Sequence, residues 1–136
     1  MVDGEYSASL DGITFDGSLL VEIKSPLRGA NSALWQQVVQ GDVPRHYWLQ
    51  VQHQLMVSGA ERAEFYVFNG DAREGMTLEV LPEAEAFDRI CAAWDAFIVH
   101  IREDAPPELT EHDKQVRADK AWTEAGTTDV RVTLGA

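Results

Sequence analysis

The period of the apolar residues switches three times along this chain, and the order of the switches limits the folds open to it. From Glu5 to Leu10 the period is two, with Tyr6, Ala8 and Leu10 on one face, as in a half-buried strand. Ser18 to Lys24 predicts a second strand, with Leu20, Val21 and Ile23 as its apolar mass. The turn dipeptides Asp11-Gly12 and Asp16-Gly17 lie between the two. Pro26 and Gly29 break the second run, and residues 25–33 read as a loop. The period then becomes helical. Ser32 caps a short helix through Gln40 that stops at Gly41, and Pro44 opens a longer one to about Ser58, closed by Gly59. Tyr47, Trp48, Val51 and Leu55 supply its apolar spacing. Period two returns at Ala63–Phe68 and, after Asn69-Gly70, at Met76–Leu81. Residues 83–103 form the clearest helix, and its stripe of Phe87, Ile90, Cys91, Trp94, Phe97, Ile98 and Ile101 reads as core packing.

The order β-β-α-α-β-β-α predicts an α/β chain of the α+β type, a mixed central sheet flanked by helices, not a repeating βαβ pattern. Pro106-Pro107 ends the long helix, and Thr110 with Asp113 resembles a capping box opening a polar helix over residues 111–125. Val130 to Leu134 alternates like a last strand, and Trp122 is the main apolar anchor of this tail. The expected division is a domain over residues 1–109 and a polar tail over 110–136. The 136 residues fit one main domain, and 45% hydrophobic content is enough for a core. The lone Cys91 excludes an internal disulfide framework. No apolar run approaches the length of a membrane span, which points to a soluble, cytoplasmic protein.

The net charge is −12, with six acids against three bases in residues 1–60 and the remaining seventeen against eight in residues 61–136. That balance argues against broad, sequence-independent nucleic-acid binding, which relies on Lys and Arg neutralising phosphates. It leaves room for a nucleic-acid enzyme that works through a local site and bound metal ions.

Glu22 and Lys24 are two apart on a strand and point to one face, with Ile23 turned to the other. Asp11 reaches them across the hairpin. Two carboxylates and one ammonium on one face suit a divalent magnesium or manganese ion, which takes oxygen ligands and keeps several waters. The backbone carbonyl of Ile23 adds a third protein oxygen. Such a metal activates water and neutralises charge growing on a phosphate oxygen. Lys24 is placed to orient or deprotonate that water.

Three ordered blocks extend this pattern. Ala8-Ser9-Leu10-Asp11-Gly12, then Leu20-Val21-Glu22-Ile23-Lys24-Ser25-Pro26, then Tyr47-Trp48-Leu49-Gln50-Val51-Gln52-His53-Gln54-Leu55-Met56-Val57-Ser58-Gly59 together resemble the YqaJ-type viral recombinase family. That family includes phage lambda exonuclease and belongs to the PD-(D/E)xK nuclease superfamily. The resemblance covers roughly residues 5–105. It implies a restriction-endonuclease-like core and a magnesium-dependent exonuclease that resects linear double-stranded DNA for recombination. It also implies Asp11 and Glu22 as metal ligands, Lys24 as the catalytic lysine, and Gln50 as a site glutamine that positions the water or the metal shell. Gln54 shares a helix face with Gln50, and its role is open. Ser25, Arg28, Arg45 and His53 are the candidate contacts to DNA phosphate, and His46 lies on the same helix as His53. The partners implied are double-stranded DNA and, by extension, a single-strand annealing protein and further copies of the chain, in a phage or prophage setting within a bacterial host.

The family pattern also has a helical section ahead of the Asp-Gly block, carrying a further metal-binding glutamate and basic residues. Here Asp11 stands ten residues from Met1, so the expectation is a core short of that helical part. The alternative function is a nuclease-fold protein that binds a partner without turnover.

Overall fold

The computed structural model describes residues 1–71 and 74–116. The chain opens with a two-stranded hairpin, β1 (Val2–Asp3) against β2 (Tyr6–Ser7), turned at Gly4. The strand expected over Glu5–Leu10 is thus shorter and pairs backwards on the residues before it. The alternation still holds, since Tyr6, Ala8 and Leu10 are half-buried while Glu5, Ser7 and Ser9 are exposed.

The main sheet follows. Strand β3 (Gly12–Ile13) runs antiparallel to β4 (Leu19–Lys24), and β4 runs parallel to β5 (Arg62–Phe68). Strand β5 in turn runs antiparallel to β6 (Gly75–Val80). The sheet is mixed, in the order β3-β4-β5-β6. The turn from β3 to β4 is held by Asp16. Its Oδ1 accepts from the Thr14 hydroxyl at 2.6 Å, the Ser18 amide at 3.0 Å and the Ser18 hydroxyl at 2.8 Å. These donors favour the carboxylate form and lower its pKa from the ordinary 3.8 to about 2.

A parallel pair needs a crossover, and here it carries two helices. Helix α1 (Ala33–Val38) starts at Ser32, whose Oγ accepts from the Trp35 amide at 3.0 Å. Helix α2 (Arg45–Ser58) begins after Pro44 and ends at Gly59, which is left-handed at φ 69°. Just after β4, Gly29 approaches the end of β5 so closely that a Cβ there would meet Asn69 O at 2.1 Å, and its φ is +50°.

One face of the sheet is dry. Leu20 of β4, Ala63, Phe65 and Val67 of β5, and Val80 of β6 join Val38 of α1 and Val51 and Leu55 of α2 in the core. The opposite face is more open, with Ile23 51% exposed. Burial alternates along β5 as its period-two pattern dictates.

Helix α3 (Ala84–Arg102) departs from expectation. Its stripe reads as core, yet Ala86 is its buried residue; Phe87 packs partly against the core, while Trp94 is 43% and Phe97 41% exposed. Within the first unit its contacts are to α2, Cys91 Sγ meeting Met56 Sδ at 3.5 Å and the Trp94 ring lying 6.1 Å from that of His53.

The chain divides into two units, Met1–Trp94 and Asp95–Ala136, with the division inside α3. In the second unit the capping box is formed: the Thr110 amide donates to Asp113 Oδ2 at 2.9 Å and the Asp113 amide donates to Thr110 Oγ1 at 3.2 Å. The hydroxyl and amide of Thr110 hold the Asp113 carboxyl below its ordinary range. The strand expected at Val130–Leu134, the anchor Trp122 and the end of the 111–125 helix lie outside the described residues. No helix among the described residues is long and apolar enough to cross a membrane.

Candidate functional site

Strand β4 turns Leu20, Glu22 and Lys24 toward the helices. Leu20 is fully buried and sits in the core floor, and Glu22, next along, is 3% exposed beneath α2. A carboxylate is costly to bury unless its oxygens are bonded. Here three side-chain donors meet it. Lys24 Nζ lies 2.6 Å from Oε1, Gln50 Nε2 donates to Oε1 at 3.0 Å, and Gln54 Nε2 donates to Oε2 at 2.8 Å.

Helix α2 delivers those amides because Tyr47, Gln50 and Gln54 fall at i, i+3 and i+7 on one face, while Val51 and Leu55 take the adjacent apolar face. Lys24 is held from three sides. Its Nζ donates to Glu22 Oε1 and to Gln50 Oε1 at 3.2 Å, and stands 4.8 Å from the Tyr47 ring centroid. The Tyr47 ring is backed by Phe65 at 5.8 Å.

Asp11 arrives from the other side of β4. The register pairs Gly12 with Val21, so Asp11 lies opposite Glu22. Its Oδ2 accepts the Ile23 amide at 2.8 Å, taking the place a backbone carbonyl would hold if β3 continued. In extended backbone the N–H and C=O of one residue turn to the same edge. The Ile23 carbonyl therefore turns to the Asp11 edge, while the Ile23 side chain projects from the open face.

Gln54 is buried and held through its amide nitrogen. It is 2% exposed. Its Nε2 bridges Ser9 O at 2.9 Å and Glu22 Oε2 at 2.8 Å. Both partners are acceptors, so the amide orientation is fixed, and Oε1 is left buried with no partner among the described residues. An orphaned buried acceptor costs about 1–3 kcal/mol.

This donor set fits a hard divalent cation that keeps much of its hydration: two carboxylates, a strand carbonyl and a buried amide oxygen with no donor. No cluster of three or more His, Cys, Asp or Glu side chains forms among the described residues. A cation here would therefore lean on water for the rest of its shell.

The other sequence candidates are placed around this centre. His46 and His53 line a cleft of ≈ 440 Å³ with Gln50, Gln54, Ser9 and Trp94. His53 Nε2 lies 2.8 Å from Ser7 O, and its ring is 6.1 Å from that of Trp94. Ser25 and Arg28 are exposed on the loop after β4. Arg45 is not brought to the Lys24 centre; its guanidinium stacks 4.7 Å from the Trp48 ring centroid in a groove shared with Glu83.

Residues 3–61 match the YqaJ-like viral recombinase domain. The match spans Asp11, β4 and all of α2, so every member of the Glu22 cluster except the backing Phe65 lies within the YqaJ-like segment. No curated protein and no solved structure matches this chain. Sequence reading left one YqaJ-like glutamine open and passed over another: Gln54, which grips Glu22, and Gln52, fully buried, which takes the Glu83 amide at 3.0 Å and donates to Leu81 O at 2.8 Å. The available signal was three glutamines spaced by two on a helix otherwise rich in apolar residues.

Proposed function

We propose that this chain is a metal-dependent DNA nuclease of the phage recombination type, hydrolysing phosphodiester bonds of linear double-stranded DNA. One observation carries the reading: a buried carboxylate, Glu22, with Lys24 Nζ held 2.6 Å away by Gln50 and Tyr47, on a strand whose neighbour presents Asp11. The match to a viral recombinase domain supports it. Asp11, Glu22 and the Ile23 carbonyl would hold Mg²⁺ or Mn²⁺, which supplies Lewis-acid stabilisation of a phosphate oxygen and a more acidic water. Lys24 Nζ, held beside the carboxylate, would donate a hydrogen bond to the attacking water and so orient it, while the proton that water loses passes to solvent. Gln50 fixes Lys24 through Oε1 and Glu22 through Nε2, which keeps the two at working separation. Ser25 and Arg28, exposed on the loop just beyond Lys24, would contact a backbone phosphate.

The test is release of nucleotides from end-labelled linear duplex DNA by the purified chain. Cleavage is expected with Mg²⁺ or Mn²⁺, is abolished by EDTA, and falls at least about 100-fold in Lys24→Ala whose circular dichroism is unchanged. Metal-independent cleavage that survives in Lys24→Ala would falsify the reading. The net charge of −12 favours a second reading, a nuclease-fold binding module. Its signature is no cleavage at any metal concentration by protein that still binds a recombination partner.

A further inference from the structure

We infer that Gln54 is a positioning residue for the proposed metal site: its Nε2 locks Glu22 to the segment leading into Asp11, and its Oε1 accepts from a water in the hydration shell of the bound cation. The inference rests on the nuclease reading and adds a residue to it.

Three observations carry it. The first is the bridge. One amide nitrogen binds Ser9 O at 2.9 Å and Glu22 Oε2 at 2.8 Å. Ser9 stands two residues before Asp11, so a single side chain sets where the two carboxylate-bearing segments lie relative to each other. The second is burial. At 2% exposed, Gln54 has little freedom to swing away, and flipping its amide would set an oxygen against two acceptors. The third is the orphaned Oε1, buried with no donor among the described residues. A purely structural glutamine at this position would be expected to satisfy both ends, as Gln52 does two residues earlier by taking the Glu83 amide and giving to Leu81 O. A donor is therefore wanted beside Glu22, and a cation's hydration water is a strong one. Groups that orient a metal's carboxylate ligands typically change metal affinity 10–100-fold when removed.

The experiment is Mn²⁺ titration of the full chain by calorimetry, with thermal unfolding in EDTA as the fold control. Gln54→Met keeps length and volume and removes both donor and acceptor; Gln54→Leu repeats the removal with a different shape. The expected result is Mn²⁺ binding by the unsubstituted chain and about 10- to 100-fold weaker binding by either folded variant, with unfolding in EDTA that stays cooperative at a lower midpoint, since Ser9 O and Glu22 Oε2 each lose a donor. Equal Mn²⁺ affinity in a folded variant overturns the inference and leaves the nuclease reading standing. Failure of both variants to fold also overturns it, because Gln54 is then a fold element. Absence of Mn²⁺ binding by the unsubstituted chain removes the nuclease reading itself, and the inference with it.

Discussion

Glu22 shows how a strand face comes to hold a buried carboxylate. Period two puts it in line with Leu20, which is core, so a carboxylate is carried to a depth where leucine belongs. It is tolerated because Lys24, Gln50 and Gln54 each spend a donor on it. Asp16 offers a contrast, being exposed and structural. Its carboxyl is held at about 2 against an ordinary 3.8 by Thr14 and Ser18. A lowered folded pKa means the folded state resists protonation more than the unfolded one. Its contribution is then complete above about pH 4 and disappears as the pH falls through about 2. Urea unfolding of the chain and of Asp16→Asn should differ most near neutrality and converge below about pH 2. Asp11, Glu22 and Lys24 were legible in the sequence because period and turn residues are local signals. The grip of Gln54 on Glu22 was not, because it joins side chains 32 positions apart and depends on how α2 crosses β4.

Among the elements, α2 does the most to organise the site. One face feeds the core through Val51 and Leu55, a second holds Glu22 and Lys24, and a third clasps the link from β6 to α3 through Gln52. That clasp is buried and two-ended. Gln52→Leu fills the volume but strands the Glu83 amide and the Leu81 carbonyl, and a loss of about 1–3 kcal/mol is expected in chemical denaturation. Retention of full stability would mean water takes over both groups. The helices α1 and α2 were readable from Ser32, Pro44 and Gly59, since caps and breakers act within a turn. The burial of α3 was not. Its apolar stripe is real, but a stripe reports what a helix can bury and not what the fold sets against it. Strand β2 was misjudged for a related reason: alternation marks a strand without naming its partner.

At the scale of the whole molecule, charge and topology matter most. A net charge of −12 sets a limit on any interaction with DNA. Residues 1–60 hold three bases, Lys24, Arg28 and Arg45, and Lys24 is already committed to Glu22. Binding of duplex DNA, followed by fluorescence anisotropy with Ca²⁺ replacing Mg²⁺, should show a slope of log affinity on log salt no steeper than about −3. A slope near −6 would require phosphate contacts from basic residues elsewhere in the chain. The parallel pairing of β4 with β5 has its own outcome. Glu22 sits in register with Phe65, 43 positions further on, and the helix that satisfies Glu22 is part of the intervening crossover. During synthesis at roughly 5–20 residues per second, Glu22 therefore waits some seconds before its sheet partner exists. Over that interval its carboxylate has neither the amides of α2 nor the cover of β5, so the Glu22 cluster closes only after the crossover has been made.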